Sequence, residues 1–119
     1  MSKTFAADMD ALRQAIEQRN AALLIDLYAD NAQMQIVDRL HQPSSPLELR
    51  GKQAIADFLN DIFNRDMTHR VMDEVVGTNR LSFNQACQYA SGERVLAASV
   101  LDLQNGKIVR ETTVQAWDE

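Results

Sequence analysis

Cysteine is almost missing from this chain: Cys87 is the only one in 119 residues. No intrachain disulfide can form, and a reducing compartment is the natural expectation. Histidine is nearly as scarce. His41 and His69 are separated by a loop and a helix-length segment, without the HxxxH or HxH spacing that a metal site favours. The four glycines build no phosphate-cradling loop. Basic clusters are lacking too, and a net charge of −5 argues against binding a phosphate backbone. No apolar run approaches the roughly 20 residues that span a bilayer. The opening MSKTFAADMDALRQ lacks the apolar core of a secretory signal. These absences point to a cytoplasmic protein with no metal, no cofactor, no nucleic-acid partner and no membrane contact.

What remains is ordinary globular material, with 45% hydrophobic and 24% charged residues. A chain of 119 residues can bury a core without staples, so residues 1–119 are expected to form one domain. No internal repeat, low-complexity tract or linker divides it.

The first half reads as helices. Phe5, Met9, Leu12 and Ile16 fall at helical spacing and predict a helix from about Thr4 to Arg19. Asn20 is suited to cap a short second helix through Leu23, Leu24, Leu27 and Tyr28, ended by Asp30-Asn31. Residues Ala32 to Arg39 alternate as a first strand, with Met34, Ile36 and Asp38 on one face. His41 to Arg50 holds both prolines and reads as a loop, a candidate flap. Gly51 opens a third helix whose stripe is Ile55, Phe58, Leu59, Ile62 and Phe63.

The second half reads as strands, about His69–Gly77, Arg80–Ala90, Arg94–Leu103 and Lys107–Trp117. Between the last two stands Asn105-Gly106, a pair that tolerates the positive φ of a tight hairpin turn. Strands this long twist and curl, and a curled sheet wrapped over helices leaves a hollow. In the last strand, alternation sets Ile108, Val114 and Ala116 on one face and Val109 and Trp117 on the other. With apolar side chains on both faces, one face can pack the helices. The other needs cover, most simply from a second copy of the chain, giving a homodimer through the outer face of the sheet.

Four segments then carry a family resemblance: LLIDLYADNAQM, LRGKQAIADFL, MTHRV and LDLQNGKIVRETTV. In that order they resemble the nuclear-transport-factor-2-like superfamily, in its SnoaL-like and ketosteroid-isomerase-like branch. The resemblance implies an α+β fold, cystatin-like in class: a cone-shaped, curved, mostly antiparallel sheet packed on three N-terminal helices. The fold hosts isomerases, dehydratases, cyclases and non-enzymatic binders, so it does not name a reaction. Ketosteroid isomerases use a Tyr and two Asp residues. Aligned on YADNA and NGKI, those positions fall on Leu12, Ile36 and about Ser99, which cannot perform that chemistry. The terminal Asp of SnoaL-like cyclases falls near Ala116, with Asp118 two residues on. MTHRV resembles the strand-opening His of scytalone-dehydratase-like members.

The same alignment implies that Val109, Glu111, Thr113, Gln115 and Trp117 face the hollow, beside Val95, Ala97, Ser99 and Leu101. Three residues are catalytic candidates. Glu111 in such a hollow would have its pKa raised by desolvation, as suits an acid or base; alternatively it pairs with Arg70 or Arg110 or faces solvent. His69 is either a general acid or base or a strand-end histidine bonded to a backbone carbonyl. Asp38 is either a base at the rim or part of a turn with Arg39. Tyr28, Ser99, Thr113, Gln115 and Trp117 are the candidate ligand contacts. Cys87 reads as a small buried hydrophobe, with no activating base beside it in sequence.

Two functions fit these residues. One is a protein that binds a small hydrophobic, partly polar ligand in the cone. The other is a cofactor-free isomerase, dehydratase or cyclase acting by proton transfer on a cyclic ketone or polyketide-like substrate.

Overall fold

The computed structural model describes residues 7–118. Helix α1 (Met9–Glu17) begins where Asp8 Oδ1 accepts the Ala11 N–H, and it buries Met9, Leu12, Ala15 and Ile16 along one stripe. The sequence places the start of this helix at Thr4 with Phe5 in its stripe; both lie outside the described residues. The helix stops in a left-handed cap. Arg19 takes φ +52°, its N–H donates to Ile16 O, and the Asn20 N–H reaches back to Ala15 O. Asn20 then caps α2 (Ala21–Asp26), its Oδ1 accepting the Leu23 N–H.

Tyr28 does not close that helix, and Asp30-Asn31 does not end it. The chain has already entered strand β1 (Tyr28–Val37). The Ile108 N–H bonds Leu27 O and Tyr28 pairs with Ile108, so the sheet captures the backbone one residue after the helix cap. The predicted loop also holds structure. Leu47 and Leu49 alternate with Glu48 and Arg50, and β2 (Leu47–Arg50) pairs antiparallel with β1. Gly51, at φ +89° and ψ 155°, turns the chain into α3 (Lys52–Phe63), whose Ile55 and Leu59 are buried.

The remaining strands are β3 (Met67–Val76), β4 (Arg80–Tyr89), β5 (Arg94–Gln104) and β6 (Lys107–Trp117). They join one curved sheet in the order β2-β1-β6-β5-β4-β3, antiparallel except for β1 against β6. The three helices cover its inner face, so the α+β architecture read from the sequence holds. The outer edge of β3 is covered by α1: Glu17 accepts the Val71 N–H at 2.9 Å and Arg13 pairs with Glu74. No helix among the described residues is long and apolar enough to cross a membrane.

Two one-residue bulges set which side chains face inward. In β6, Val109 is the extra residue: Leu103 pairs with Ile108, but Asp102 pairs with Arg110. Ile108 and Glu111 are therefore both buried, while Val114 is exposed. Simple alternation, which groups Ile108 with Val114 and turns Val109 inward, fails at that point. In β3, Asp73 and Glu74 together oppose Phe83, with Asp73 at φ +56°. The hairpin starts with Val76 opposite Leu81 and, beyond the bulge, runs one residue shifted, with His69 opposite Cys87.

Candidate functional site

The helices and the inner face of the sheet leave a cavity of about 90 Å³. Its body is apolar, with Leu12 and Ile16 from α1, Phe58 and Phe63 from α3, and Phe83 and Leu101 from the sheet. Two polar stations interrupt that lining.

The first station is built on Glu111, which is buried and has no cation beside it among the described residues. Tyr28 donates its hydroxyl to Oε1 at 2.5 Å, and Thr113 donates to Oε2 at 2.9 Å. Since the Thr113 proton points at the carboxylate, its oxygen accepts from Ser99 Oγ, 2.8 Å away. These four side chains come from the starts and middles of three strands, brought together by the β1–β6 and β5–β6 pairings. Desolvation raises the Glu111 pKa above the ordinary carboxylate value, opposed by the Tyr28 and Thr113 hydrogen bonds. Tyr28 is driven well above the ordinary phenol value by burial and then by the neighbouring carboxylate. Neither Arg70 nor Arg110 pairs with Glu111, and it does not face solvent.

The second station is His69, 7% exposed. Its Nδ1 lies 3.2 Å from Cys87 Sγ, and among the described residues no partner reaches its Nε2. Phe63 meets the imidazole edge-on, with ring centroids 5.4 Å apart. Burial lowers the His69 pKa, with a smaller push from the Arg19 guanidinium, so the ring is neutral at pH 7. Burial pushes the Cys87 thiol up to about 11. The imidazole that sequence order does not place beside Cys87 is thus His69, one strand away, which leaves the thiol unactivated; its only sequence signal is the β3–β4 hairpin itself.

The mouth of the cavity carries Trp117. Its ring stacks on Tyr89 at 5.9 Å and lies under the Arg39 guanidinium at 4.1 Å, while its Nε1 donates to Gln115 Oε1. Arg65 donates to Tyr89 Oη and to Asp61, and it also lines the mouth. Gln115 and Trp117 line both the cavity and an open depression beside it that reaches Asp38 and Arg39.

Asp38 stands apart from both stations. It lies beyond the end of β1, where its Oδ1 accepts the Leu40 N–H and contacts His41 Nδ1 at 2.9 Å. Burial works to raise its pKa, but those hydrogen bonds outweigh it and hold the carboxyl below its ordinary value. Its turn partner is His41 rather than Arg39, whose guanidinium covers Trp117 instead. Among the described residues no three His, Cys, Asp or Glu side chains converge as a metal site requires.

A curved sheet closed by three helices over a half-polar cavity defines the nuclear-transport-factor-2-like class of cone folds. Residues 9–111 match the SnoaL-like domain, and the chain belongs to that family. Solved structures agree in fold. A protein of unknown function with this fold from Mesorhizobium loti superposes with a TM-score of 0.80 at 16% identity, covering 91% of this chain and 87% of that one. A putative ketosteroid isomerase from Kribbella flavida gives 0.75 at 14% identity, over 92% and 74%. An uncharacterised protein with a cystatin-like fold from Silicibacter pomeroyi gives 0.72 at 11%, over 96% and 77%. At such identities the likeness is one of fold alone. No curated protein matches the chain.

Proposed function

We propose that the cone is a binding chamber for a small, mainly apolar ligand that carries polar groups. The observation that carries this reading is the pair of buried polar stations, Glu111–Tyr28 and His69, facing one apolar cavity. An unpartnered buried nitrogen costs roughly 1–3 kcal/mol, a penalty that a bound ligand's polar group would relieve. Trp117 at the mouth is the chain's sole tryptophan and a built-in reporter. Small aromatic phenols and cyclic ketones are expected to change its emission saturably, at one site per chain. Silence across such a panel, with no endogenous ligand released on denaturation and seen by mass spectrometry, would remove the proposal.

A second reading, proton-transfer catalysis on a cyclic ketone or polyketide-like substrate, is favoured by the directions in which burial shifts the same two stations, His69 downward and Glu111 upward. A neutral His69 can accept a proton. Glu111 accepts from Tyr28 as a carboxylate; once it takes up a proton, that hydrogen can turn toward Tyr28 Oη and free the phenol O–H to donate to a carbonyl oxygen. Asp38, tied to His41 at the rim, takes no direct part in this scheme. Loss of turnover in both His69→Gln and Glu111→Gln, with binding retained, distinguishes catalysis from binding alone.

The chamber's setting completes the proposal. Leu96, Val100 and Val114 stand exposed together on the outer sheet face, which supports a homodimer formed there. A single, buried cysteine supports a cytoplasmic location.

A further inference from the structure

His69 and Cys87 meet only because the Asp73–Glu74 bulge shifts the β3–β4 register by one residue. Gln85 lies on the same face of β4, with its Oε1 4.0 Å from Cys87 Sγ. Two arrangements of hydrogens fit these distances. In one, the thiol donates to His69 Nδ1. Nε2 then carries a hydrogen with no acceptor, and Gln85 Oε1 receives nothing from Cys87. In the other, Nδ1–H donates to Sγ and the S–H turns to Gln85 Oε1, leaving Nε2 with a bare lone pair. Buried donors without partners are rarer than under-used acceptors, which selects the second. A thiolate–imidazolium pair is excluded, because burial keeps the thiol protonated and the ring neutral.

We propose that Cys87 is a positioning residue that holds His69 in its Nδ1–H form, so that the bare Nε2 selects ligands bearing a hydroxyl group: a phenol, an enol or an alcohol. This inference rests on the chamber being a binding site, and it adds the chemical class that the site accepts. A ligand whose only polar atom is an ether or carbonyl oxygen would set lone pair against lone pair at Nε2. The apolar surroundings, with Phe63 against the ring, sharpen that preference by excluding competing water.

The test pairs long-range histidine ¹H–¹⁵N spectra with two probes of nearly equal shape, p-cresol and its methyl ether, 4-methylanisole. The wild-type protein is expected to show His69 protonated on Nδ1, and p-cresol to shift the Nε2 resonance. It should also bind about two- to tenfold tighter than the ether, as a single net hydrogen bond allows. Cys87→Ala should mix the tautomers and bring the two affinities together, while Cys87→Ser should restore both. If neither alanine nor serine at position 87 folds, the wild-type spectrum and the probe ratio decide alone. A wild-type His69 protonated on Nε2, or equal affinity for both probes with Nε2 unmoved, overturns this inference and leaves the chamber reading intact. If neither probe perturbs the cavity resonances, the chamber reading fails and the inference falls with it.

Discussion

Tyr28 and Glu111 are each unfavourable to bury alone, and the 2.5 Å bond between them is what makes the pair tolerable. Tyr28→Phe leaves Glu111 Oε1 without its donor and is expected to destabilise the fold by about 1–3 kcal/mol in urea unfolding. In a Glu111→Gln background the same change should cost less, with a coupling above about 0.5 kcal/mol. Strict additivity of the two substitutions would show that this contact has no energetic weight. His69 gives a pH signature whose sign is set by its lowered pKa. The unfolded chain takes up the proton first, so this residue's share of stability is present above the ordinary value of 6.5. It is lost as the pH falls through the folded-state value. His69→Gln should remove a slope of up to about 1.4 kcal/mol per pH unit on that acid side. Parallel curves for wild type and variant in denaturant titrations would refute it.

Among the elements, the turn at Gly51 is the most exacting. Its φ of +89° with ψ near 155° lies in a region that is almost exclusively glycine's. An added Cβ would still find its nearest neighbour, Asp30 O, 3.9 Å away. The strain is thus in the backbone rather than in packing. Gly51→Ala is expected to lose about 1–3 kcal/mol of stability in thermal or urea unfolding, with the amide spectrum of β3–β6 unchanged. A neutral effect would mean that the entry to α3 adapts. Several elements are legible in the sequence because local signals agree with their tertiary use. Ile55, Phe58, Leu59, Ile62 and Phe63 fall at helical spacing, and Asn105 and Gly106 adopt the positive φ expected of their turn. The end of α2 and the existence of β2 are not legible in this way. Tyr28 continues the helical stripe past the true cap, Leu27, and four residues beside two prolines carry too little periodicity to stand out.

At the scale of the whole molecule, the outer face of the sheet presents apolar side chains to solvent. Val100 and Val114 stand about half exposed on neighbouring strands, with Leu96 further along β5. If this face pairs two copies, light scattering after gel filtration should give twice the mass of 13.4 kDa. Val100→Lys with Val114→Lys should return a monomer by setting like charges across a two-fold contact. Since both side chains point away from the chamber, probe binding at Trp117 should survive that change. A wild-type monomer at high protein concentration would end the dimer proposal.

Sequence alone was enough for the class of fold, because helix stripes, long alternating strands and a turn dipeptide are local properties that agree with one another. Through the family resemblance it also named Glu111, Thr113 and Ser99 as inward-facing, but it set Val109 on the same face and so missed the bulge there. Only the tertiary structure decided which groups meet: Tyr28 with Glu111, His69 with Cys87, and Asp38 with His41 instead of the chamber. The physical reason is the two-residue period of a strand. One extra residue, at Val109 or across Asp73–Glu74, shifts the register and reverses the facing of every side chain beyond it, and no local signal announces where that residue is absorbed.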